Sequence, residues 1–395
     1  MFATSAIILI ALHLSSAKHE NLTKNYKFPN KELVLSEASF NNATLFYASC
    51  EQSPKQCTVI HETNPFNRST VTAKCEVNLK SDNVQLLVGS RKQKAIFITV
   101  SKSSMVQATI VNMSSCKSVE MDIVEVPSDW SNIQLYYKYI DVVVFEKSFD
   151  VIIKGLSNIC SEPDRKIYCS FTFDYEGKKI GGPTVWPKMY YDEMDIVSPI
   201  LPAVSGEWYF FVKREDSLSA LLVDRHGGPE YERMYKMPKV HLDIWKEGYS
   251  TTNNAHGMCY DLMNSTIGCW QMGVEGRKLI TEFTFKHQHQ TAKLSVHNLR
   301  SGGFIILLIT CPEQICSGIE DHYYLLKVDA QGKFTGHVNV EVKSQCNAKN
   351  SDILAKVFEN DQGQYCAVRL CKSHTHEEGR LETSIDCFSN NDFTQ

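Results

Sequence analysis

The chain has 395 residues, 43% of them hydrophobic and 22% charged, with a formal net charge of -4. That balance excludes a disordered or collagen-like polymer. No basic patch interrupts the weak acidity, which argues against nucleic acid as a partner.

Met1 to Ala17 reads as a secretory signal peptide, with a short apolar core from Ser5 to Leu14 and the small residues Ser15-Ser16-Ala17 before a cut near Lys18. The core is too short to span a bilayer, and no other stretch approaches that length, so no membrane span is expected. Residues 18–395 are expected to form a single exported domain. N-x-S/T sequons at Asn21, Asn42, Asn67, Asn112 and Asn264 are candidate glycosylation sites in that setting.

Beyond residue 30 the chain is a series of short apolar runs separated by turn residues, with no helix-period stretch. Lys293 to Val342 is the clearest unit. Its strand signals are Lys293–His297, Phe304–Thr310, Tyr323–Val328 and His337–Val342, broken at Gly302-Gly303 and Gln331-Gly332. Four strands in about fifty residues is the size of one propeller blade. The aromatic or apolar residue near the first hairpin strand recurs at Phe46, Phe97, Phe149, Tyr209, Tyr260, Phe304 and Tyr365, about every fifty-three residues. The fold expected is therefore all-β, a propeller of seven four-stranded blades. Two β-sandwich domains are the alternative.

A propeller must close on itself. The last unit, Ile353 to Phe388, shows three strand signals, while Asn25-Tyr26-Lys27-Phe28 precedes the first inner strand, read at Glu32 to Ser36. The early segment is expected to supply the missing outer strand.

The 14 cysteines suit a disulfide framework in an oxidising compartment. Close spacing pairs Cys50 with Cys57, Cys160 with Cys169, Cys259 with Cys269, Cys311 with Cys316, and Cys366 with Cys371. A shared separation of 41 pairs Cys75 with Cys116 and Cys346 with Cys387, as staples between neighbouring blades.

No linear catalytic constellation stands out. His374, His376 and Glu378 could share a strand face as metal ligands, and His287 and His289 repeat the spacing, but both read more simply as surface loops. Asp224-Arg225-His226-Gly227-Gly228 reads as a tight turn. There is no G-x-S-x-G elbow and no phosphate loop, and no cofactor or metal is expected. The stretch Gly181 to Asp195 fits the repeat poorly and looks like an insertion, with Trp186, Tyr190 and Tyr191 as candidate binding residues.

The function expected from the sequence is a secreted, glycosylated, non-enzymatic binding protein of a body fluid or glandular secretion, with a protein or glycan ligand. The alternative is a secreted hydrolase whose site gathers residues from several blades at the mouth of the propeller channel.

Overall fold

The computed structural model describes residues 20–27, 35–41, 44–50, 56–63, 71–81, 83–90, 92–126, 140–156, 166–185, 195–196, 200–202, 207–214, 217–223, 225, 233–236, 244–251, 255–262, 265–273, 278–287, 289–311, 322–340, 352–375 and 378–395.

The described strands form seven antiparallel sheets in a β-propeller. The first strand in the chain, β1 (Glu20–Lys27), stands apart from the blade that follows it. Blade 1 is β2 (Leu35–Asn41), β3 (Thr44–Cys50), β4 (Gln56–Thr63) and β5 (Val71–Asn78). Blade 2 is β6 (Asn83–Gly89), β7 (Lys94–Val100), β8 (Met105–Asn112) and β9 (Ser118–Glu125). Blade 3 is β10 (Ile140–Val144), β11 (Ser148–Leu156), β12 (Lys166–Asp174) and β13 (Lys179–Val185).

Blade 4 departs from four strands. Two short segments, β14 (Asp195–Ile196) and β15 (Leu201–Pro202), both pair with β16 (Trp208–Arg214), which continues to β17 (Ser217–Val223) and β18 (Arg233–Lys236). Blade 5 is β19 (Ile244–Thr251), β20 (Ala255–Leu262), β21 (Thr266–Gly273) and β22 (Lys278–Thr284). Blade 6 is β23 (Gln290–Asn298), β24 (Phe304–Cys311), β25 (His322–Val328) and β26 (Phe334–Val340). Blade 7 takes β27 (Asp352–Glu359), β28 (Tyr365–Thr375) and β29 (Glu378–Phe388), and its outer strand is β1.

Burial explains the strand types. Second strands lie between neighbouring blades and are covered on both faces, so they read as continuous apolar runs; every residue from Phe304 to Thr310 is buried. Outer strands meet solvent, and β9 is exposed or half-buried throughout. The apolar core is therefore a set of layers between blades. One joins Phe46, Val59 and Val77 of blade 1 to Leu87, Phe97 and Val111 of blade 2. Another joins Ile267 of blade 5 to Leu294, Ile306 and Leu308 of blade 6. These layers, and the packing of inner strand β27 on both β23 and β2, set aside the two-sandwich alternative.

Closure uses the N-terminal segment, starting earlier than its sequence suggested. Glu20 faces Cys387 and Lys27 faces Arg380, so β1 pairs with β29 from Arg380 to Cys387. The first inner strand is described from Leu35, within the expected Glu32 to Ser36, whose first three residues lie outside the described residues. Part of the expected insertion is ordinary structure: Lys179–Val185 is the outer strand of blade 3. Trp186, Tyr190 and Tyr191 lie outside the described residues, as do Asn42, Asn67, Asn264 and the expected signal segment. Of the other sequons, Asn21 lies on β1, and Asn112 accepts from the Ser114 amide at 3.0 Å.

The cysteines require one correction. Cys50–Cys57 and Cys259–Cys269 link the second and third strands of their blades, and Cys75–Cys116 joins blade 1 to blade 2. Cys366, however, is bonded to Cys387, so neither the Cys366–Cys371 nor the Cys346–Cys387 pairing holds. Cys366 and Cys371 share the uninterrupted strand β28. Five residues of strand separate their Cα atoms by about 16 Å, beyond a disulfide's reach. Cys387 is the direct cross-strand neighbour of Cys366.

Candidate active site

The antiparallel path places every hairpin between second and third strands, and every connection between blades, at the same end of the ring. This end is here the upper mouth. On it, between blades 5 and 6, several polar side chains meet above an apolar layer.

Asp261 is the penultimate residue of β20. It is buried and sits on the layer formed by Cys259, Ile267, Phe285 and Leu294. Burial holds its carboxyl above the usual carboxylate range; the Thr291 hydroxyl and the charge of nearby His287 pull it partly back. Asp261 Oδ1 and Thr291 Oγ1 nevertheless make no hydrogen bond of satisfactory geometry. Thr310, the cross-strand neighbour of Thr291, is fully buried, and its Oγ1 also has no partner.

His287 lies in the connection from β22 to β23. Its Nδ1 is 2.6 Å from the carbonyl oxygen of His289, while its Nε2 is buried without a partner. Ser265 Oγ donates to the His287 carbonyl at 3.2 Å and ties this connection to the β20–β21 hairpin. The outer rim is aromatic: His289 stacks on His322 at 4.7 Å, and Phe285 meets Tyr324 and His337 edge-on, both at 5.1 Å.

Buried polar atoms are nearly always hydrogen-bonded, so four orphans on adjacent side chains mark a place built to receive polar atoms from elsewhere. A carboxyl with a raised pKa is a better proton donor than a free carboxylate, and an imidazole with a free nitrogen can accept a proton.

Strand irregularity positions part of this cluster. In β23 the register slips at Ala292, between Thr291 and Lys293. Without the bulge these two residues would share a face. With it, Thr291 turns to blade 5, while Lys293 lies on the blade 7 side of the same strand. Inner strands β6, β19 and β27 slip near the same point, between Val84 and Leu86, Ile244 and Lys246, and Asp352 and Leu354.

The sequence had marked His287 and His289 only as a weak metal pair. Among the described residues, no three His, Cys, Asp or Glu side chains converge as metal ligands. His374 lies on β28 opposite Gly379, Glu378 begins β29, and His376 lies outside the described residues. Arg225 is not idle turn chemistry. It clamps Asp150 at the opposite end of the ring. Asp261, Thr291 and Thr310 carry no linear signal, since each looks like an ordinary polar strand residue.

No family model matches the chain, and no curated protein matches it. Solved structures do. The chain is similar to a prolyl endopeptidase structure at 11% identity and a TM-score of 0.51, covering 89% of this chain and 50% of that one. It thus spans about half the length of that protein. It is also similar to the polysaccharide lyase Uly1, at 8% identity and a TM-score of 0.50, covering 89% of this chain and 90% of that one. The propeller domain of the Trilobed protease from Pyrococcus furiosus follows at 9% identity and 0.46, covering 87% and 95%.

The first two of these likenesses support the fold. They also correct the expectation of a non-enzymatic binding protein, which rested on the lack of a linear catalytic motif. Solved structures of this fold include enzymes. A propeller assembles its sites from separate blades, so a missing linear motif does not count against catalysis.

Proposed function

We propose that this chain is a secreted hydrolase working at the upper mouth of the propeller, between blades 5 and 6. One observation carries the reading: among the described residues Asp261 Oδ1, His287 Nε2, Thr291 Oγ1 and Thr310 Oγ1 are buried close together and none makes a well-formed hydrogen bond. In this reading Asp261, whose carboxyl burial holds above the usual carboxylate range, protonates the leaving group. His287 Nε2 takes a proton from the attacking water, and the two threonine hydroxyls orient that water. Export is supported by the disulfides, the N-terminal apolar segment and the five sequons. No helix among the described residues is long and apolar enough to cross a membrane.

The test is a panel of chromogenic esters, glycosides, phosphate monoesters and peptide anilides. The wild-type chain should hydrolyse one class. Asp261→Asn and His287→Gln should each lower kcat by at least about a hundredfold, while Lys80→Met, at an exposed pair with Glu120, should not. No turnover of any class, or full activity in both site variants, would sink the proposal.

A further inference from the structure

Thr291, Thr310 and His322 form one row across three adjacent strands of blade 6. Thr291 of β23 faces Thr310 of β24, and Thr310 faces His322 of β25. Cross-strand neighbours share a face, so the row lies on the blade 5 side at the upper mouth. With Cβ atoms about 5 Å apart at each step, it is roughly 10 Å long. It runs from buried to open: both threonines are buried, and His322 is exposed. His289, from the connection into β23, stacks on the His322 ring at 4.7 Å with 11° between the planes. Among the described residues neither imidazole makes a hydrogen bond or an ion pair through its ring nitrogens. The acids nearby are placed elsewhere. Asp261 lies at the buried end, beside Thr291. Glu282 is turned to the blade 4 side, where its Oε1 accepts from the Tyr260 hydroxyl at 3.0 Å. Lys286, exposed on the same connection as His289, adds positive charge.

We infer that His289 and His322 bind an oxyanion, a carboxylate or sulfate group, at the open end of this row, with the rest of the ligand lying along Thr310 and Thr291. An imidazole presents an N–H in either protonation state, and two with a charge when protonated. Two rings fixed by stacking, with no acid beside them among the described residues, suit a group that only accepts hydrogen bonds. The threonine hydroxyls point to a ligand independently, since both are buried and neither makes a well-formed hydrogen bond. The inference deepens the hydrolase reading and rests on it for one point. Under that reading the ligand is an acidic substrate, whose charged group sits roughly 5–10 Å from the bond cut beside Asp261 and His287.

The experiment is calorimetric titration at low ionic strength with inorganic sulfate, succinate and succinamide, the neutral counterpart of succinate. Wild type should bind at least one anion and not succinamide. His322→Phe keeps a ring for the stack but loses both nitrogens, and should weaken that binding at least about tenfold. His289→Phe should weaken it too, while His322→Arg keeps most of it. Matched thermal unfolding separates lost binding from lost fold. A second readout uses histidines labelled with ¹³C at Cε1, where saturating anion should move the two resonances that the Phe variants lack. Sulfate binding lost in His322→Phe identifies a general oxyanion site, and succinate binding alone, lost in the same variant, identifies a carboxylate site. A wild type that binds neither anion, or binding unchanged in His322→Phe, overturns the assignment, as does succinamide binding as tight as that of succinate. Turnover separates the two readings. Anion binding without turnover of any chromogenic class leaves this site standing and sinks the hydrolase; turnover without anion binding does the reverse.

Discussion

Arg225 holds Asp150 across the junction of blades 3 and 4. Its Nη2 donates to Asp150 Oδ1 at 2.7 Å, and its Nε to Oδ2 at 2.8 Å. Asp150 is fully buried and also accepts from Trp208 Nε1 at 2.9 Å. The guanidinium lies 3.8 Å over the Phe145 ring, and Nη2 reaches Ser148 Oγ at 3.0 Å. Arg225→Ala would leave a buried carboxylate facing only Trp208. It should cost about 3–5 kcal/mol, read as a lower urea midpoint. The double variant with Asp150→Asn should recover part of that loss. Equal midpoints for wild type and Arg225→Ala would show that the pair contributes nothing.

Closure gives a second prediction. β1 covers the edge of β29 from Arg380 to Cys387, eight register pairs in all. Deleting residues 20–27 would uncover that edge, and exposed strand edges recruit other chains. The thermal midpoint should fall by on the order of 10 °C, with a new aggregate peak in size-exclusion chromatography. An unchanged midpoint and a clean monomer peak would show that the outer strand is dispensable.

Gly89 gives a third. A Cβ built there would lie 2.0 Å from Cδ2 of Phe46, deep in the layer between blades 1 and 2. Neither ring nor backbone has room to retreat in a close-packed interior. Gly89→Ala should cost about 1–3 kcal/mol. Phe46→Leu added to it should relieve part of the strain, a coupling that a double-mutant cycle in urea would measure.

These cases show what the sequence displays and what it hides. The strand runs were legible because burial on both faces selects continuous apolar residues, as at Phe304 to Thr310. Closure by the N-terminal segment followed from counting strands. The Cys366 pairing was misread because spacing suggests a loop where β28 runs on through Thr375. The split inner strand of blade 4 was hidden for a related reason: β14 and β15 are two residues each, too short to show a period. The candidate site was hidden most fully. Asp261 and Thr291 lie on different blades, and a single bulged residue decides which way Thr291 and Lys293 face. No residue pattern in one strand reports a neighbour thirty positions away.

Two histidines outside the candidate site set a fourth prediction. Burial lowers His256 to about 4, against a small opposing pull from Glu207. Burial also lowers His297 to about 4, helped by the charge of Arg300. Both are neutral in the fold, and the unfolded chain takes up protons first, near the ordinary 6.5. Stability is therefore full above that value and falls as pH drops from 6.5 towards 4, with a slope approaching two protons. His256→Gln and His297→Gln should each remove about one proton of that slope in urea titrations across this window. A slope unchanged in both variants would assign the acid sensitivity to other groups.

Asp261 carries the opposite sign, which separates catalysis from stability. Its folded pKa is raised, so the fold binds this proton more tightly than the unfolded chain does. Stability from this group is present below the unfolded value near 3.9 and declines as pH rises through the raised folded value. Above that value wild type bears a constant cost for a buried charge that Asp261→Asn does not. Asp261→Asn should therefore be more stable than wild type at neutral pH and similar to it below about pH 4. The proposed hydrolytic activity should be lost in the same variant. An active site that sacrifices stability for a poised proton gives this pairing, whereas a structural carboxylate would lose stability on amidation. Urea midpoints at pH 3.5 and 7.5, read beside turnover, decide between them.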